Sequence, residues 1–392
     1  MKPGGLSRRM TYVRGVQVSG VDPLLVDGGD FLFALGDSRG SDFRRRQNLE
    51  KAKVIIEAYN RLGYKVAAVA ECDLTMGLKT LKQLEKRMKF QLLCANFVMQ
   101  EGSSDSRQIF SPSSIIDHHG RKVGIIAVLQ DLAPSFLSKV APHTEITDPF
   151  TAVRREVKRL AGKAELILVL AHLPRTQVDR LADEIPGIDF ILEPNSYGGV
   201  TVVWIPKEQV VVERNGRVLL KVSGQGSNIG RLDLVLRAPG KPWKSTEAGT
   251  VEKLAEYNSY AVQVSEIAPH LGGDASIEAM GQAFKASHRY VKPPQGSEAW
   301  QPAKHFLTAE TCSVCHAEQT EFWQGTSHAR AYTTLERSGD QLRYDCLPCH
   351  SLGYGQTFVD TRKVGEFKNV QCESCHGTHP EHSGDPKKAP WP

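Results

Sequence analysis

The residues richest in chemistry lie near the carboxyl terminus, in Cys312-Ser-Val-Cys315-His316, Cys346-Leu-Pro-Cys349-His350 and Cys372-Glu-Ser-Cys375-His376. In each, two thiols three positions apart can take the two vinyl groups of one haem as thioethers, and the adjoining imidazole can bind the iron. Zinc held by paired Cys-x-x-Cys units is the alternative, but it leaves the histidine after every pair without a task. The spacing therefore predicts three haem c groups, with His316, His350 and His376 as proximal iron ligands. All six methionines fall at or before Met280, so methionine is not the local sixth ligand. The same region offers His288, His305, His328, His379 and His382. A second imidazole in place of methionine lowers the reduction potential. Low-potential, bis-His irons are the expectation, and an iron with an open sixth position is the alternative. His328 and His382 lead the distal candidates, followed by His305, His379 and then His288.

The rest of the composition sets the frame. A chain of 392 residues is long enough for two or three domains. The formal charge of +5 is offset by two propionates on every haem, so no affinity for nucleic acid is expected. The run Arg44-Arg45-Arg46 reads as a solvated helix start. No apolar run approaches the ~20 residues of a membrane span. Covalent haem attachment takes place outside the cytoplasm, which predicts a periplasmic or cell-surface protein. Residues 1–20 nevertheless hold no apolar stretch like a signal peptide, so the expectation is a late-assigned start or a processed targeting segment. Six of the eight cysteines serve haem. Cys72 and Cys94 remain, as a disulfide or as two buried thiols.

Upstream of the haem motifs, strands and helices alternate. Pro23 to Asp27 reads as a strand, Asn48 to Leu62 as a helix stopped by Gly63, and Lys65 to Ala70 as a strand. A helix over Leu78 to Arg87 and a strand over Phe90 to Ala95 follow. Ile115 to Leu129 reads as a hairpin turning at Gly120, and Asp148-Pro149 as a helix start. Glu165 to Ala171 is a strand buried on both faces. A helix over Gln177 to Glu184 and a strand over Ile188 to Leu192 come next. Val200 to Ile205 reads as a strand, Asn215-Gly216 as a hairpin turn, and Arg231 to Leu236 as the closing strand. This is a layered α/β domain with mixed sheets over residues 1–237. Residues 238–301 read as a helical linker, with one helix from Thr246 to Ile267 and a break at Pro293-Pro294-Gln295-Gly296. Residues 302–392 read as a small, mostly helical or irregular trihaem cytochrome c domain. Trp323, Phe322, Tyr332, Tyr344 and Tyr354 are available there to pack on the rings.

Several blocks of the first domain resemble the metallophosphoesterase family, in particular its 5′-nucleotidase branch. They are Leu24 to Asp30, Tyr59 to Tyr64, Ala95-Asn96-Phe97, Gly120 to Ile126, Ala171-His172-Leu173 and Ile185 to Leu192. Members of that family hold two metal ions about 3.5–4 Å apart to activate water and grip a phosphoryl group. The resemblance implies that Asp30 stands for the bridging aspartate and His172 for the lone histidine. The family's Asn-His-Glu loop is Glu71-Cys72-Asp73 here, and Asn195 and Tyr197 stand where it has two imidazoles. Gly4-Gly5-Leu6 resembles the loop after the strand that carries the family's Asp-x-His, so the chain is expected to begin inside the domain. Asp30, Glu71, Asp73 and His172 thus read as a vestigial metal site. Glu71 and Asp73 are at most ligands to one hard cation. No divalent pair and no catalytic residue is expected.

The carboxyl-terminal region resembles the multihaem cytochromes of the c-554 type. The likeness runs through Glu310-Thr311-Cys312, Phe322 to Ala331 around Ser327-His328-Ala329, and Val370 to Gly377 with His382. It implies distal roles for His328 and His382. The leading expectation is an electron-transfer protein whose first domain is a scaffold or docking module. Its expected partners are donor and acceptor cytochromes or membrane quinol-linked complexes. A haem oxidoreductase acting on a small nitrogen or sulfur species, and a working phosphoesterase with a cytochrome tail, are the alternatives.

Overall fold

The structure is a computed structural model that describes residues 4–35, 37, 42–100, 107–194, 196–197, 200–201, 210–222, 226–247, 254–287, 306–343, 346–378 and 382. The chain divides between Gly281 and Gln282 into two units. The first opens with α1 (Leu6–Val18), β1 (Val26–Asp27), α2 (Asp42–Leu62), β2 (Val66–Ala68), α3 (Leu78–Glu85) and β3 (Gln91–Leu93). β1, β2 and β3 pair in parallel, and a helix makes each crossover, as parallel pairing requires. There follow β4 (Phe97–Met99), β5 (Arg107–Gln108), β6 (Ser113–His118), β7 (Arg121–Leu129), α4 (Pro134–Val140), β8 (Thr144–Ile146), α5 (Pro149–Leu160), β9 (Leu166–His172), α6 (Arg175–Glu184) and β10 (Phe190–Pro194). The unit closes with β11 (Ser196–Tyr197), β12 (Val200–Thr201), β13 (Val211–Arg214), β14 (Arg217–Val222), β15 (Asn228–Val235), β16 (Trp243–Ser245), β17 (Asn258–Glu266) and α7 (Ala275–Ser287).

The larger sheet has the order β13-β14-β10-β9-β7-β6. Its inner strands are parallel, with β6 and β13 antiparallel at the edges. Successive side chains of a strand point to opposite faces, and the cores follow that rule. Val66, Ala68, Ile125, Ala127 and Leu170 share one core between the two sheets. Ala67, Val69 and Leu92 face the outer core with Ile56, Leu62 and Leu81 of α2 and α3. Ile126, Val128, Val169 and Ile191 meet Val153, Leu160, Val178 and Leu181 of α5 and α6. The result is helix, sheet, sheet, helix. Asp148 caps α5 by accepting from the Thr151 N–H at 2.7 Å, as its sequence predicts. The β13–β14 turn has positive φ at both Asn215 and Gly216. Cys72 and Cys94 are buried free thiols. Arg45 and Arg46 are solvated in α2, which begins at Asp42, earlier than its apolar stripe suggests.

The expected helix from Thr246 to Ile267 is not there. β17 occupies Asn258–Glu266, antiparallel to β15 and parallel to β16. Tyr257, Ala261 and Val264 fit a helical stripe, but Tyr260, Val262 and Val264 alternate. Pairing with β15 satisfies the strand reading and buries Tyr260 between the sheets. The first unit therefore continues past residue 237 and ends within α7. The expected strand Val200 to Ile205 is described only over Val200–Thr201, and Pro293 to Gly296 and Tyr344 lie outside the described residues.

α1 is a second departure, since only Met10 and Val13 of it are buried and the helix has no clear apolar stripe. A polar network docks it instead. Arg9 donates to the hydroxyls of Tyr59 at 3.2 Å and Tyr64 at 3.0 Å, and Tyr59 donates to Asp27 Oδ2 at 2.8 Å. Tyr59 stacks on Tyr64 with ring centres 4.2 Å apart. Burial raises the Asp27 carboxyl, against the pull of Arg9. Arg9→Ala is expected to cost about 1–3 kcal/mol, because buried acceptors lose their donor. Urea unfolding checks this, and an unchanged midpoint would show that α1 docks by other means.

The second unit is built from short helices, Ala309–Ser313, Ala317–Gln324, Ala331–Ser338, Leu347–His350 and Glu373–His376. Its apolar core among the described residues is Tyr332, Leu335, Leu347, Phe358 and Val364. So small a core needs covalent or metal staples to hold a fold.

Candidate functional sites

Each Cys-x-x-Cys-His motif closes the same turn. The N–H of the second cysteine donates to the carbonyl of the first, at 3.3 Å for Cys315 and Cys312, 3.3 Å for Cys349 and Cys346, and 3.2 Å for Cys375 and Cys372. In each pair the first thiol is half-buried and the second exposed. The first and third motifs are neighbours. Leu307 N–H donates to Glu373 Oε2 and Ala309 N–H to Gln371 Oε1, both at 2.6 Å. Gln371 in turn donates to the carbonyls of Glu366 and Lys368. Burial and the adjoining Cys372 thiol push the Cys312 thiol up to about 11.

The histidines differ in what holds them. His350 Nδ1 lies 2.6 Å from the Ala331 carbonyl and 3.3 Å from Thr334 Oγ1. A carbonyl only accepts, so Nδ1 carries the proton and Nε2 keeps the lone pair that iron needs. The His316 and His382 rings are neighbours, with centres 6.0 Å apart and planes 28° apart. His328 is exposed, and its carbonyl accepts from Val370 N–H at 3.2 Å, two residues before Cys372. The Trp323 indole donates to the Val370 carbonyl at 2.8 Å. His288, His305 and His379 lie outside the described residues. Of the aromatic residues expected to pack on the rings, Tyr332 sits in the small core, Tyr354 packs on Phe358 and Phe322 is 79 % exposed.

In the first unit, the loops after β1, β2, β9 and β10 carry the other candidates. Gly29 lets β1 turn against β2, since a Cβ there would meet Ala70 Cβ at 2.7 Å. Asp30 follows in left-handed backbone, at φ 59°. Its Oδ1 accepts the Cys72 N–H at 2.7 Å, and its Oδ2 lies 3.6 Å from His172 Nε2. Asp73 accepts four backbone N–H groups, from Asp30 at 2.9 Å, Phe31 at 3.2 Å, Leu32 at 3.1 Å and Ala70 at 3.1 Å. Burial and then the Asp30 charge push its carboxyl up to about 8, while those N–H groups pull the other way. Burial, then Asp30, raises the Glu71 carboxyl. The Cys72 thiol is driven far above its ordinary range by burial and by the acids around it. Glu193 at the end of β10 is buried between Arg175 Nη1 at 3.0 Å and Lys221 Nζ at 3.3 Å. Sequence reasoning gave Glu193 no role. Its signal was an acid on a strand end in an otherwise apolar block.

These donors do not fit a two-ion centre. A carboxylate has about four acceptor positions, and backbone N–H groups occupy those of Asp73. That also corrects the reading of Asp73 as a cation ligand. Cys72 is held as a thiol, and Asn195 and the Tyr197 side chain lie outside the described residues. Among the described residues, Asp30, His172 and half-buried Glu71 are what is left, too few for two ions.

The comparisons with known proteins divide along the chain. Residues 311–377 match the family model described as cytochrome c554 and c-prime. Cytochrome c-554 of Nitrosomonas europaea is 32% identical over 101 residues, covering 21% of this chain and 43% of that protein. Snake venom 5′-nucleotidase of Naja atra is 28% identical over 193 residues, covering 48% of this chain and 34% of the relative. The chain thus spans about a third of that relative's length. The calcineurin-like phosphoesterase YfkN of Bacillus subtilis superposes with a TM-score of 0.53 at 18% identity, over 73% of this chain and 90% of its own. The first unit has the mixed α/β calcineurin-like phosphoesterase fold, and its sequence matches the 5′-nucleotidases. The carboxyl-terminal segment matches a cytochrome domain.

Burial lowers the His172 imidazole below its ordinary range, outweighing Asp30. Below about pH 6.5 the unfolded chain then binds the proton that the folded chain refuses, so stability falls on acidification by up to about 1.4 kcal/mol per pH unit until the folded value is reached. Amide exchange in β7 and β9 between pH 7 and 5 is expected to show this slope, and His172→Asn to flatten it. An unchanged slope in the variant would assign the effect elsewhere.

Proposed function

We propose that this chain is an electron-transfer protein carrying three haem c groups, bound through Cys312 and Cys315, Cys346 and Cys349, and Cys372 and Cys375. His316, His350 and His376 are the proximal ligands. The observation that carries this reading is the same turn closed by all three Cys-x-x-Cys-His motifs, which sets two thiols and an imidazole together each time. His382, whose ring centre lies 6.0 Å from that of His316, is the distal ligand of the first haem in this reading. His328 is the next distal ligand, and His305 and His379 supply the remaining candidates. The fixed tautomer of His350 supports its role at the second haem. When bound, the haems supply one-electron chemistry at low potential, because imidazole replaces methionine on the iron. The protein's own part is to hold the rings by thioethers, orient the imidazoles and keep the motifs adjacent. Cys312 beside Cys372 puts two attachment points in contact, which favours electron hopping from ring to ring.

Thioether attachment places the working protein outside the cytoplasm, in the periplasm or on the cell surface. Its partners are donor and acceptor redox proteins, and no described helix is long and apolar enough to cross a membrane. The phosphoesterase-like unit serves as a scaffold or docking module without a divalent pair.

Purified holoprotein is expected to show low-spin iron by absorption and electron paramagnetic resonance. His382→Ala should turn about a third of it high-spin, and an unchanged spectrum would remove His382 from the iron. Hydrolysis of nucleotides and phosphodiesters with added manganese or zinc is expected to stay at background. Turnover that Asp30→Asn abolishes would restore the phosphoesterase reading.

A further inference from the structure

The tip of the β6–β7 hairpin holds a second group of metal-ligand side chains, sharing no residue with the motifs or the pocket above. β6 ends at His118, and His119 and Gly120 make the turn with φ of 53° and 73°. Gly120 N–H donates to Asp117 Oδ1 at 3.0 Å. In a regular strand, neighbouring side chains diverge to opposite faces. Left-handed backbone at His119 cancels that divergence, and the two imidazoles come together with ring centres 4.3 Å apart. Histidine is among the few side chains enriched in this conformation.

The third member comes from far away in sequence. Asp22 lies in the segment between α1 and β1, and His119 Nε2 sits 3.2 Å from its carbonyl oxygen and 3.9 Å from its carboxylate. One ligand atom from each of Asp22, His118 and His119 lies within 4.8 Å of the other two. Zinc bound at about 2.0–2.2 Å to each needs those atoms roughly 3.4 Å apart, so side-chain rotations of an ångström or so complete the geometry.

We propose that Asp22, His118 and His119 bind one divalent transition-metal ion of the zinc class, stapling the β6–β7 tip to the segment that leads into β1. Two imidazoles and one carboxylate suit zinc, nickel or cobalt over magnesium or calcium, which prefer all-oxygen sites. Burial, then His119, lowers the His118 imidazole, which keeps it neutral and available to an ion near pH 7. The charges around the site leave room for a cation. Arg121 is engaged by Glu165 at 2.7 Å, Asp117 and Asp22 are acidic, and Lys65 is the opposing charge that reaches His118. The fourth coordination position is open to water, as in zinc sites with three protein ligands.

The test uses haem-loaded full-length protein, stripped with chelator and titrated with zinc sulfate. Bound zinc is measured by mass spectrometry after desalting, and affinity by calorimetry. The wild type is expected to hold one more zinc per chain than the H118N/H119N double variant. Asp22→Asn is expected to weaken that zinc about tenfold. His143→Asn, at an exposed histidine elsewhere, should match the wild type. Both histidines are at a hairpin tip, so far-ultraviolet circular dichroism and the thermal midpoint without zinc should be the same in all four proteins and report intact folding. Equal zinc stoichiometry and affinity in wild type and double variant would overturn the proposal. So would loss of the same zinc in His143→Asn.

Discussion

In the carboxyl-terminal unit everything rests on a backbone turn in which the second cysteine of each motif donates its N–H to the carbonyl of the first. The turn fixes the separation of two thiols and presents the following imidazole at the end of a short helix. A core of Tyr332, Leu335, Leu347, Phe358 and Val364 buries too little apolar surface to order the segment unaided. Covalent attachment and axial ligation can supply the rest. The polar staples run the same way, since Gln371 and Glu373 tie the third motif to the first through backbone N–H groups.

The first unit depends on a different buried group. Asp73 draws four backbone N–H groups into one carboxylate and thereby locks the loop after β1 to the loop after β2. Asp30 then accepts the Cys72 N–H at 2.7 Å, and its Oδ2 lies 3.6 Å from His172 Nε2. These contacts tie the loops after β1 and β2 to the end of β9. Glu193, held between Arg175 and Lys221, does the same at the end of β10. The scaffold of a phosphoesterase persists because the four layers are held by apolar strands and helices, and these do not require the metal ligands.

Much of this was legible in the order of residues. A turn at Gly120 marked β6 and β7 as a hairpin, an apolar run marked β9, Asp148-Pro149 marked the start of α5, and Asn215-Gly216 marked a second hairpin, because each signal acts over a few neighbours. The misses share a cause. α1 has no apolar stripe, since Arg9 docks it through tyrosine hydroxyls on α2 and just beyond it. β17 read as a helix because its partner β15 lies more than twenty residues away. Asp73 looked like a cation ligand because nothing in Glu71-Cys72-Asp73 reveals the N–H groups that converge on it.

The sequence by itself determined the proposed attachment chemistry. Thioether formation and proximal ligation depend on a spacing of five residues, which local backbone geometry cannot alter. It also determined the layered α/β class, because hydrophobic periodicity is local. Only the tertiary structure decided which imidazole lies beside His316, which carboxylate is spent on backbone N–H groups, and that Asp22 meets His118 and His119. Those pairings join distant segments, and their distances follow from packing, which no spacing in the chain encodes.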